Sequence, residues 1–137
     1  DCIDLKPDVV SIMIGINDVW QQVNDWLPAD HWVLIEEYEQ TLDELVAIVA
    51  PSLKGLILMT PYVLELDKMD EMRMKMDRYG DVVREIAKKY GAIFVDTQTV
   101  FDEALKEMDA QELSDDRIHM NAKGHRILAE AFIKAIE

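Results

Sequence analysis

Two textures alternate along the chain: short solid apolar runs, and longer stretches in which an apolar residue returns every three or four positions. The runs at residues 9–14, 55–59 and 92–95 read as strands, the first apolar toward both faces and therefore expected to be buried on both. Between them, Tyr38, Leu42, Leu45, Val46 and Val49 trace one face of a helix that stops before Pro51. Met72, Met76, Tyr79, Val83, Ile86, Ala87 and Tyr90 trace a second within residues 69–90, with Gly91 placed to end it. Phe101, Ala104, Leu105 and Met108 suggest a short third helix. Asn121 reads as the cap of a last one that buries Leu128, Phe132 and Ala135. Residues 21–30 are polar around Pro28 and read as a loop over the carboxyl edge of the sheet, with Asp30 capping the helix that follows.

Strands alternating with helices through short connections predict a parallel sheet with helices on both faces, an α/β fold in three layers. Three strands are few for such a sheet. A first strand as apolar as Val9, Val10, Ile12, Met13 and Ile14 belongs in its interior, so at least one further strand is expected beside it. Gly15 ends that strand, and Asn17 and Asp18 follow in what reads as a tight turn at the carboxyl edge, where α/β sheets bind their ligands.

With 137 residues, half of them apolar, the chain suffices for one domain, residues 1–137. Its 28 acidic and 14 basic residues give a formal charge of -14, which repels nucleic acid and anionic membrane surfaces but not a neutral substrate. Cys2 is the single cysteine, so no internal disulfide forms, and no Cys/His spacing suits structural zinc. Neither a metal nor an organic cofactor is expected. No apolar run approaches the ~20 residues of a membrane span. Asp1 stands where an initiator methionine would, so the chain reads as beginning within a domain. A cytoplasmic setting is expected over secretion.

Two segments about a hundred residues apart carry the chemistry. In Asp116-Arg117-Ile118-His119 a spacing of three lets the carboxylate accept a hydrogen bond from one imidazole nitrogen, fixing the tautomer, and leaves the other nitrogen free to take a hydroxyl proton. Asn17, at the end of a buried strand, has an amide that can donate to an oxyanion without titrating. Either segment alone is commonplace: Asp-x-x-His is usually a surface turn, and an Asn after a strand usually a turn residue. Of the serines, Ser11 lies inside a strand, Ser52 follows a helix-ending proline, and Ser114 lacks a strand-to-helix turn, so no nucleophile is assigned within the chain. His31 reads as a loop residue and His125 as a helix-face residue. The eight methionines read as adaptable packing.

Gly15-Ile16-Asn17-Asp18 after an apolar strand, with Asp116-Arg117-Ile118-His119 and Asn121-Ala122-Lys123-Gly124-His125 near the end, resembles the Gly-x-Asn-Asp and Asp-x-x-His blocks of the SGNH (GDSL-type) hydrolases. Within that family the likeness is to bacterial acetylxylan esterases, in residues 6–20, 57–61, 76–80 and 94–98. The resemblance implies a flavodoxin-like three-layer fold and a serine esterase that deacetylates xylan or xylo-oligosaccharides without a cofactor. It makes His119 the general base, Asp116 its orienting partner and Asn17 an oxyanion donor, with Gly15 and Asp18 supporting the turn. Trp20 and Tyr62 line an acyl or sugar pocket or else pack in the core. The family's Gly-Asp-Ser nucleophile block is absent, as is its oxyanion glycine, and Met120 stands where many relatives have proline. The resemblance thus covers about the last two thirds of a family member. It implies an inert chain unless a complementing N-terminal segment supplies the serine. The alternative is a binding or assembly module that associates, for instance as a homo-oligomer, through the edge of residues 9–14.

Overall fold

The computed structural model describes residues 2–24 and 27–137. Three parallel strands, β1 (Val9–Met13), β2 (Gly55–Met59) and β3 (Ile93–Val95), form a sheet in the order β1-β2-β3. Val10 lies opposite Leu56, Ile12 opposite Leu58, and Leu58 opposite Phe94. Helices α1 (Ile16–Asn24), α2 (Ile35–Val49) and α3 (Glu71–Tyr90) cover one face, where Val19, Leu42, Val46, Met76 and Val83 pack on Leu56, Leu58 and the inward side of Val10 and Ile12. On the opposite face, Ala131, Phe132 and Ala135 of α5 (Ala122–Ile136) pack on Ile57, Met59 and Val95. Beside α5 lies α4 (Thr97–Ala104), and its Phe101 centres a small core with Tyr62, Leu113 and Leu128.

The expected three layers and parallel sheet are present, and so are the local signals that end the long helix. Asp70 caps α3 by accepting from the Arg73 N–H, and Gly91 closes it at a φ of 63°.

Several expectations need correction. β1 is not buried on both faces: it is an edge strand, and Val9, Ser11 and Met13 are exposed because α5 packs over β2 and β3 only. That a further strand belongs beside this apolar edge is not among these corrections: none of the described residues supplies it. Asn17 and Asp18 occupy not a tight turn but the first turn of α1, which extends through Asn24 and takes in part of the expected loop. Ile16, Val19, Trp20 and Val23 carry that helical period and pack on the helix-layer core. The chain beyond α1 folds against this helix layer, since Gln22 and Tyr79 both donate to the Val33 carbonyl. Asp25 and Trp26 of the same stretch lie outside the described residues. Asp30 sits in a short 3-10 turn (Ala29–His31), and α2 begins at Ile35 without a side-chain cap. Leu45 faces outward, to one side of the buried stripe of Tyr38, Leu42 and Val46. Finally, α4 starts and ends earlier than its apolar spacing implies, because Asp96 caps it by accepting from the Thr99 N–H.

Candidate active site

Gly15 joins β1 to α1 at a φ of 118°, a conformation that L side chains rarely adopt, and a Cβ there would sit 3.1 Å from the Tyr38 hydroxyl and 3.2 Å from Pro61 Cγ. The Tyr38 hydroxyl donates to the Ile14 carbonyl at 3.0 Å and fixes the strand end. In the first turn of α1, Asn17 is exposed, while Asp18 is partly buried and its carboxyl is pushed up by that burial, against a bond from its own backbone N–H.

The other half of the site is the loop between α4 and α5. Its neck is closed by an antiparallel bridge between Ser114 and Met120 and by the Asn121 N–H donating to the Leu113 carbonyl at 2.8 Å. Asn121 then caps α5, its side-chain oxygen accepting from the N–H groups of Lys123 and Gly124. Gly124 is required by close approach, since a Cβ would meet Met120 Sδ at 2.7 Å and the Leu113 carbonyl at 3.1 Å.

Within this loop the two oxygens of Asp116 divide their bonds. Oδ1 accepts from the Ser114 hydroxyl and from the N–H groups of Ile118 and His119 at 2.8–3.0 Å. Oδ2 lies 2.6 Å from His119 Nδ1. The His119 side-chain bond, then its backbone N–H, hold the Asp116 carboxyl well below the usual range, with the Ile118 N–H and Ser114 hydroxyl adding to them against burial. An ionised carboxylate only accepts, so Nδ1 carries the proton and the lone pair of Nε2 is left available.

These halves meet around a cavity of about 420 Å³ lined by Asn17, Tyr62, His119 and His125, with Met13, Ile14 and Met120 among its apolar walls. Tyr62 belongs both to this wall and to the core: its ring lies 4.6 Å from that of Phe101, its hydroxyl donates to the Ile118 carbonyl at 3.1 Å, and burial, then the charge of Asp116, push its phenol up. Trp20 packs against the helix-layer core instead of lining the cavity. No serine, threonine or cysteine lines it among the described residues. Ser11 is on the exposed face of β1, Ser52 donates to the Val49 carbonyl, and Ser114 is buried against Asp116. His31 is a surface residue beside Asp30.

His125, read from sequence as a helix-face residue, lies at this cavity, and its imidazole has no hydrogen-bond partner among the described residues. The signal for it is the cap: four residues after Asn121 is one helical turn, on the side of α5 that faces the loop. A second cleft of about 260 Å³ between α3 and α4 is lined by charges that pair among themselves, Arg73 with Asp77 and Asp102, Arg84 with Asp96, and Lys68 with Asp102.

Residues 1–127 match the GDSL-like Lipase/Acylhydrolase family. An acetylxylan esterase of Geobacillus stearothermophilus is 48% identical over 136 residues, and one of Xylanibacter ruminicola is 27% identical over 157. The chain spans 62% of the length of the first and 30% of the second. Among solved structures, the Geobacillus esterase Axe2 superposes with a TM-score of 0.96 at 48% identity over 99% of this chain. LAE5, an α/β hydrolase enzyme from the metagenome of Lake Arreo, Spain, superposes with a TM-score of 0.96 at 50% identity over 98% of this chain, and 62% of its own length is covered. Axe2 has also been solved with a serine, an aspartate or a histidine replaced as catalytic mutants. The Gly-x-Asn-Asp and Asp-x-x-His blocks, the parallel sheet that joins them and the extent of these matches agree, and the chain belongs to the GDSL-like lipase and acylhydrolase family.

Proposed function

We propose that this chain carries the acid–base half of a serine esterase that removes acetyl groups from xylan or xylo-oligosaccharides, with the nucleophilic serine supplied from outside these 137 residues. The observation that carries this reading is the 2.6 Å contact between Asp116 and His119 Nδ1 beside a cavity that Asn17 also lines. In this reading the serine hydroxyl attacks the acetyl carbon as Nε2 of His119 takes its proton. The tetrahedral oxyanion accepts a hydrogen bond from the Asn17 amide, and the sugar hydroxyl leaves with the proton from His119. Water then repeats the sequence on the acyl-serine and releases acetate. Asp116 keeps the imidazole in the tautomer that leaves Nε2 unprotonated. The substrate class rests on likeness to the acetylxylan esterases.

The test supplies the missing part. Acetate release from acetylated xylo-oligosaccharides is measured for this chain alone, and again after fusion to the portion of the Geobacillus relative that it does not match. The chain alone is expected to be inert and the fusion active, with His119→Ala or Asp116→Asn in the fusion lowering kcat by about 10²–10⁴-fold. A folded fusion without turnover overturns the proposal.

A second reading, an assembly module that pairs through β1, is favoured by one observation: the free edge is uncharged, and Val9 and Met13 on it are about half exposed. Ile12 packs toward the helix layer, so the informative substitution is at Val9. If the chain forms dimers in solution, Val9→Lys dissociates them under this reading; unchanged association on a sizing column counts against it.

A further inference from the structure

We infer that Arg117 is a positioning residue: clamped by Glu65 and Asp70, it holds the loop tip in the one backbone shape that aims Asp116 at His119. This rests on the Asp116–His119 reading above. Arg117 has a φ of 70°, the left-handed region that non-glycine residues seldom occupy and retain only where their surroundings enforce it. That reversal turns the N–H groups of Ile118 and His119 back onto Asp116 Oδ1, at 3.0 and 2.8 Å, and leaves Oδ2 to His119 Nδ1.

What enforces it comes from the segment after β2. The Leu64 N–H donates to the Arg117 carbonyl at 3.0 Å, and Arg117 Nη1 reaches Glu65 Oε2 at 3.0 Å and Asp70 Oδ2 at 3.3 Å. Both acceptors are themselves anchored by Arg73, whose backbone N–H donates to Asp70 Oδ1 and whose buried guanidinium donates to the Glu65 carbonyl. The acid loop is thus held by a polar frame built on α3, and Arg117 is where that frame joins the Asp–His pair. Because a single nitrogen makes both contacts, a lysine ammonium suffices in its place.

A residue that merely stabilises the loop would alter melting but not the protonation pattern of His119. The measurement is therefore the imidazole tautomer ratio, read from 15N shifts of the labelled 137-residue chain in alkaline buffer, where free histidine prefers the Nε2–H form. The unsubstituted chain is expected in the Nδ1–H form. Arg117→Ala, which keeps the backbone penalty and loses the clamp, is expected to shift the ratio several-fold toward that of free histidine, and Arg117→Lys to restore it. Glu65→Gln weakens the clamp without touching the loop and gives a smaller shift in the same direction, and it provides the reading if Arg117→Ala does not fold. A folded Arg117→Ala, or failing that Glu65→Gln, with an unaltered ratio overturns the inference. Absence of the Nδ1–H form in the unsubstituted chain overturns the Asp–His reading itself, a distinct result.

Discussion

Arg73, 1% exposed, is the only charged residue that is fully buried among the described residues, and replacing it is the most direct test of what holds the second half of the domain together. Its guanidinium makes a bidentate pair with Asp102 at 2.8 and 2.6 Å, reaches Asp77 at 2.7 Å, and donates to the Glu65 carbonyl. Removing one partner of a buried pair costs about 3–5 kcal/mol, because the remaining charge keeps its desolvation without its counterion. Here Asp102 retains Lys68 at 3.1 Å and Gln98 at 2.9 Å, and Asp77 is exposed enough to regain water, so the low end, about 3 kcal/mol, applies. The orphaned Glu65 carbonyl adds about 1 kcal/mol. At about 2.1 cal/mol/K of unfolding entropy per residue, a chain of 137 residues carries about 0.29 kcal/mol/K, so Arg73→Met is expected to lower Tm by about 10–14 °C. The assay is thermal and urea unfolding followed by circular dichroism. Arg73→Met combined with Asp102→Leu should cost less than the sum of the single changes, since the more buried of the two carboxylates that lose Arg73 is then gone as well. A drop of under about 4 °C for Arg73→Met would refute the reasoning and make the network dispensable to stability.

Gly15→Ala forces a side chain into a φ of 118° against Tyr38 and Pro61, and is expected to cost about 1–3 kcal/mol by urea denaturation. Phe101→Ala empties a fully buried site under Tyr62 and should cost about 3–5 kcal/mol in the same assay. Burial raises the phenols of Tyr38, Tyr62 and Tyr79 above their ordinary value of 10.0. Below pH 10 these tyrosines carry no proton linkage. Above it the unfolded chain loses protons that the folded chain keeps, so stability falls by up to about 1.4 kcal/mol per tyrosine per pH unit. In a Tyr90→Phe chain, which leaves only these three tyrosines, tyrosinate absorbance between pH 10 and 12 should therefore rise together with loss of helix, and ionisation that precedes unfolding would contradict the burial argument.

What the sequence determined by itself is what short-range physics decides. The period of Met72, Met76, Tyr79 and Val83, the Gly91 stop, the Asn121 cap and the apolar runs of β2 and β3 each need only a few neighbouring residues, and each is found where it was read. The Asp116–His119 spacing belongs here too, since a separation of three puts the two side chains within reach of each other once the loop has its shape. Where local signals competed, reading failed: Gly15 with Asn17 and Asp18 has turn composition, yet Ile16, Val19 and Val23 find a core to pack on, and burial makes the stretch a helix. Only the tertiary structure decided which partners lie far off in the chain. It made β1 an edge, placed Arg73 in the interior between Glu65 and Asp102, brought His125 to the cavity of Asn17 and His119, and joined Arg117 to Glu65 and Asp70. Pairings between separate segments leave no periodicity to read, because their free energy comes from desolvated charges and packed walls that exist only once the sheet and its helices have closed around them.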